Sequence, residues 1–205
     1  MFVGKRMTKK VVTASPEDTL ERAAELLAGH RIHRLPVVRE NKLVGIVSDS
    51  DIRNAAVRPE AGAVGMKTVG EIMTREVITV TPWDTLEDAL LILQKKRLGA
   101  LPVVEGNRVI GIITKADVLA ALVESLDIEG IGARIEVLLP RDIASVVKLV
   151  GLMSEKKIEV RSIVLSPHQD RFVAFLRLVT IDVPAVKDKL RNAGFAIAEL
   201  EDFLG

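Results

Sequence analysis

The 205-residue sequence contains no cysteine. Disulfides and thiolate metal sites are therefore excluded, in keeping with a reducing, cytoplasmic setting. Three histidines, His30, His33 and His168, are too few and too scattered for a multi-histidine metal centre. No stretch approaches the roughly 18 apolar residues of a membrane span, and the opening MFVGKRMTKK lacks the apolar core of a signal peptide. The expectation is a cytoplasmic protein without a membrane partner. A formal net charge of +1 gives no general drive toward nucleic acid. Hydrophobic residues make up 48% of the chain, enough for packed cores and unaided folding.

What the sequence does have is a repeat. Gly45 to Asp51 (GIVSDSD) and Gly111 to Asp117 (GIITKAD) share a pattern 66 positions apart, and Val3-Gly4, Met7-Thr8, Thr13, Pro16, Asp18 to Glu21, Ala23, Leu27, Leu35 to Val38 and Asn41 recur in the same gapless register. Residues 3–52 and 69–118 thus read as one structural unit written twice, and such a duplication brings a pair of related clefts. Each copy predicts strand, helix, strand, strand, helix. Val11 to Thr13 is a β-prone run. Asp18 is placed to cap a helix with Glu21 in the reciprocal position, and Leu20, Ala23, Ala24 and Leu27 keep helical spacing up to a stop at Gly29. Leu35 to Val38 and Leu43 to Val47 form a hairpin about Arg39 to Lys42.

Residues 57–67 read as a connector between repeats at 1–66 and 67–126, with a glycine-containing linker at 127–133. Residues 134–205 follow another plan: strand Arg134 to Leu139, a helix capped by Asp142, a hairpin about Pro167 to Asp170, helix Val183 to Asn192 closed by Gly194, and strand Phe195 to Leu200. This βαββαβ order places both helices on one sheet face. The fold class is α/β (α+β).

Within the heptapeptide, Ser48 and Asp51 fit a capping box, and Gly45 permits close packing. The same geometry suits a nucleotide: free helix N–H groups and a hydroxyl toward phosphate, a carboxylate toward both ribose hydroxyls. Recurrence of the whole repeat makes the sequence resemble the tandem CBS (Bateman) domain family, whose repeat carries an LPVV-type strand, a hairpin and then G-h-x-[T/S]-x-x-D. The resemblance implies adenosine-nucleotide binding (AMP, ADP or ATP, with Mg²⁺ only alongside ATP), with Ser48 and Thr114 on phosphate and Asp51 and Asp117 on ribose. It also implies phosphate contacts from His33 and Arg34, which precede Leu35-Pro36, and a place for Thr13 and Thr79 near adenine. Repeat two has Gly99-Ala100 where repeat one has His33-Arg34, so the clefts are unequal; Lys115 partly compensates, whereas Asp49 at the matching position repels phosphate. One nucleotide per chain, bound more tightly with each added phosphate, is the expectation.

The C-terminal βαββαβ segment resembles an ACT domain, and the whole layout resembles acetoin-utilisation B-type proteins. Leu139 to Ala144 lacks the glycine of amino-acid-binding ACT loops, which points to homodimerisation instead. Trp83 reads as a packing residue. No G-x-S-x-G or G-x-x-x-x-G-K-[ST] is present and no base is placed for Ser48, so the expectation is a regulatory protein and not an enzyme. The alternative is a ligand-independent scaffold in which both heptapeptides only cap helices.

Overall fold

The computed structural model describes residues 1–57, 67–128, 130, 132–199 and 202. They fall into two units, Met1–Ala121 and Leu122–Gly205. The expected connector lies mostly outside the described residues, and no described helix is long and apolar enough to cross a membrane.

In the first unit, α1 (Leu20–His30) begins one residue later than expected. Thr19, not Asp18, is the cap, its hydroxyl accepting from Arg22 N–H at 3.2 Å. Asp18 is occupied in the turn before, accepting from Ser15 N–H at 2.7 Å. Gly29 does not stop the helix; the chain continues to His30, and Arg31 takes the left-handed turn at φ 53°. α4 (Leu86–Lys95) repeats this, with Thr85 as cap and the left-handed residue at Arg97, φ 54°.

β1 (Arg34–Arg39) and β2 (Lys42–Ser48) form the predicted hairpin. Its two-residue turn holds Glu40 and Asn41 at φ 51° and 63°, the mirror-image turn whose twist matches that of paired strands. β3 (Ala100–Glu105) and β4 (Arg108–Thr114) repeat the hairpin, and Lys42 opposite Arg108 joins the two into one sheet of order β1-β2-β4-β3. α2 (Asp49–Val57) and α5 (Lys115–Ser125) follow β2 and β4 directly. The strand expected at Val11 to Thr13 does not form; one residue beyond it, Ala14, bridges Val37, and Pro16, two residues on, cannot donate to extend that pairing.

Two short elements are additional to the expected plan: a 3-10 turn at Val3–Lys5 and α3 (Val69–Ile72), the latter with a Thr68/Glu71 capping box. Each is packed into the other repeat. Val3 is fully buried among Val80, Leu86, Leu93, Leu101 and Ile113 of the second repeat, and Val69 and Met73 among Ala23, Leu27, Leu35 and Val47 of the first. The segments behind them follow suit: Thr8 exchanges two main-chain hydrogen bonds with Ile112 on β4, and Thr74 two with Ile46 on β2. Gly45 and Gly111 permit these crossings, since a Cβ there would collide with Met73 Sδ and Met7 Sδ respectively. Trp83 is 76% exposed and so does not pack. Its flanking carbonyls, on Pro82 and Asp84, accept from Gly4 and Val3, which leaves its side chain facing outward.

The second unit runs β5 (Ala133–Pro140), α6 (Ile143–Glu155), β6 (Val160–His168), β7 (Arg171–Leu178), α7 (Val183–Asn192) and β8 (Ala196–Ile197), with sheet order β6-β7-β5-β8. Ile135, Val137 and Leu139 alternate along β5 and pack with Leu149 and Met153 of α6 and Val186 and Leu190 of α7, so both helices cover one face. Asp142 caps α6, accepting from Ser145 N–H at 2.7 Å, and Gly194 closes α7 at φ 85°. β8 is shorter than expected because Glu199 N–H turns to Asp202 at 2.8 Å; Leu200 lies outside the described residues.

Two alanine substitutions should have opposite signs. Gly29 lies inside α1 with open space around it, so Gly29→Ala should stabilise by about 0.5–1 kcal/mol. Gly45→Ala, with Thr74 O only 3.1 Å from the new Cβ, should destabilise by about 1–3 kcal/mol. Urea unfolding measures both; equal effects would contradict the crossing at Gly45.

Candidate functional site

At the corner where β2 becomes α2, Ser48 is buried and Asp51 lies one turn on. Asp51 N–H donates to Ser48 Oγ at 3.2 Å, while Asp51 Oδ2 accepts from Ser48 N–H at 2.8 Å and from its hydroxyl at 2.6 Å. Thr114 and Asp117 reproduce the set at 3.2, 2.8 and 2.7 Å. Both heptapeptides therefore form complete capping boxes.

Beside the first box lies a cavity of about 190 Å³, and the exchange between repeats builds its walls. Ser48, Asp51, Ile46 and Arg34 come from the first repeat; Thr74, Glu76, Val77 and Ile78 come from the segment crossing β2, and Leu98, Ala100 and Pro102 from the start of the second hairpin. The lining is mostly apolar, with convergent polar groups from Ser48, Asp51, Arg34, Thr74 and Glu76. Arg34 reaches it across Gly99, where a Cβ would collide with the guanidinium. The absence of a side chain at 99 thus makes room for the cation supplied by repeat one.

His33 and Arg34 diverge, as neighbouring residues at a strand start do. His33 lines a groove between α1 and α2 with Ala24, Ala28 and Ile52, its Nδ1 3.2 Å from Asp49 Oδ2. Asp49 is also held by Arg53 at 3.1 Å. The Arg53 hydrogen bond holds the Asp49 carboxyl below its ordinary value over the opposing effect of burial, and the His33 contact adds to the lowering. The resulting stabilisation is present above the ordinary carboxylate range and is lost as pH falls through the depressed value. Asp49 is thereby engaged by its own neighbours. Thr13 lines a different cavity, with Lys9, Asn41 and Arg108. Neither Thr79 nor Lys115 borders either cavity. Glu76 and Thr74 were not singled out by motif; the signal for Glu76 was the 66-residue register, which sets it opposite Lys10.

The CBS-domain family model matches residues 3–58 and 69–124. The chain is 36% identical over 112 residues to the CBS domain-containing protein YhcV of Bacillus subtilis, a match that covers 54% of this chain and 78% of YhcV. Among solved structures it is similar to the CBS domain pair of protein MJ0100 in complex with 5′-methylthioadenosine and S-adenosyl-L-methionine (33% identity, TM-score 0.55, 60% of this chain and 95% of that one). It is similar also to CBSX2 in complex with AMP (32%, TM-score 0.54, 60% and 96%). A third structure, of a putative acetoin utilization protein (AcuB) from Vibrio cholerae, is 30% identical with TM-score 0.56, covering 63% of this chain and 95% of that one.

Asp51→Ala and Asp117→Ala each remove one carboxylate that accepts two hydrogen bonds. Each should cost about 1–2 kcal/mol in urea unfolding without loss of fold. A change of only a few tenths in both would contradict the structural role of the box.

Proposed function

Because the chain belongs to the CBS-domain family and carries the repeat twice, we propose that its first unit is a regulatory module that binds an adenosine-containing ligand. AMP, ADP and ATP are candidate ligands, the last with Mg²⁺. The observation that carries this reading is the cavity beside Ser48 and Asp51, apolar along its walls and polar at convergent points. Two similar CBS structures hold adenosine compounds, 5′-methylthioadenosine with S-adenosyl-L-methionine in one and AMP in the other.

In this reading the apolar strip Val77, Ile78, Leu98 and Pro102 receives the base, Asp51 accepts from ribose through the oxygen its capping bonds leave over, and Ser48 and Arg34 face the 5′ substituent. Thr114 and Asp117, with Lys115, serve the second cleft. A ligand bridging Ser48 and the 74–78 segment touches both repeats at once. It therefore favours one arrangement of the repeats over another, which is the differential affinity that signalling to a partner protein requires. The module performs no catalysis. The second unit is read as an ACT-like homodimerisation domain, supported by its βαββαβ order and by exposed Ile143, Val147 and Val150 on α6.

Calorimetric titration of the full chain with adenosine, AMP and ATP tests the binding. Asp51→Ala should weaken it by roughly 10- to 150-fold, the value of hydrogen bonds to a charged group. Absence of heat with every adenosine compound would favour the scaffold alternative. Light scattering at micromolar concentration should give a dimer, and a monomer would overturn the assignment of the second unit.

A further inference from the structure

The first cleft carries both signs of charge. Arg34 and Glu76 border the same cavity as Ser48 and Asp51, and no ion pair joins them. The counterparts in the repeat register are Ala100 for Arg34 and Lys10 for Glu76. That register is structural as well as textual: Glu76 stands two residues beyond Thr74, which is paired to β2, and Lys10 two residues beyond Thr8, which is paired to β4. The two strand-to-helix corners therefore differ at two charged positions of the repeat register.

A polyphosphate is favoured where positive charge outweighs negative. Arg34 offsets one negative charge, and Glu76 on the same small cavity opposes each further one. A substituent bearing one positive and one negative group meets a complementary partner at each end. Resting on the adenosine reading above, we propose that the cleft beside Ser48 selects an adenosine whose 5′ substituent is zwitterionic, with Glu76 facing its cation and Arg34 its anion. A sulfonium amino acid attached at the 5′ carbon has this chemistry. The cleft beside Thr114, with Lys10 in place of Glu76, is left as the one suited to a simple phosphate.

The test is calorimetric titration of the full-length Asp117→Asn protein, which weakens the second cleft, with adenosine, AMP, 5′-methylthioadenosine and S-adenosylmethionine. The same series follows with Glu76→Gln added. Glu76 is exposed, so thermal unfolding without ligand should be unchanged. In the Glu76→Gln protein the affinity ratio of S-adenosylmethionine to 5′-methylthioadenosine should fall roughly two- to fivefold, the size of an exposed charge pair, and the ratio of AMP to adenosine should rise by a similar factor. Arg34→Gln should lower both ratios. Binding that persists with both ratios unmoved by Glu76→Gln overturns the zwitterion assignment while leaving the adenosine reading intact. Failure of all four compounds to bind overturns both.

Discussion

Four main-chain hydrogen bonds, two between Thr74 and Ile46 and two between Thr8 and Ile112, set the architecture of the first unit. Through them each repeat lends its opening segment to the other. Val3 then enters the second core and Val69 the first, each burial worth about 1.5–3 kcal/mol. Neither repeat completes its core alone. Glycine at 45 and 111 follows from this constraint, because a side chain there would meet the methionine of the crossing segment.

The same crossing brings chemistry to the helix start. A capping box by itself closes a strand-to-helix corner and needs no ligand, and both boxes here are complete. Beside the first corner, residues 74–78 lay a wall that adds Thr74 and Glu76 to Ser48, Asp51 and Arg34. The structural role and the proposed binding role fall on one side chain: Asp51 Oδ2 is taken by the box, and the proposed ribose contact uses its other oxygen. Under the proposed function, substitution at Asp51 acts on stability and affinity together, whereas Glu76 and Arg34 lie outside the box.

The repeat, both hairpins, the capping boxes and the βαββαβ order were legible in the sequence because each rests on local patterning. The exchange of segments was not, since a gapless repeat reads the same whether its first residues pack on their own copy or on the other. Near-miss assignments have equally local causes. Asp18 and Thr19 are both good caps, and which one serves depends on the Ser15 turn that occupies Asp18. Arg31, not a glycine, takes the left-handed position after α1. His33 and Arg34 look like one cationic pair in the sequence, yet a strand start sends them to different cavities. Glu76 carries no motif, and only the crossing explains how it comes to border the same cavity as Arg34.

The central claim is that one adenosine ligand contacts the Ser48 corner and the crossing segment of the other repeat at the same time. Amide chemical-shift mapping of the full-length protein during titration with S-adenosylmethionine and with AMP tests this most directly. The account predicts that the amides of Ser48 to Asp51 and of Thr74 to Ile78 shift together, with a common saturation curve for each compound. Shifts confined to one of these two segments, or unmoved amides in both at saturating ligand, would contradict it.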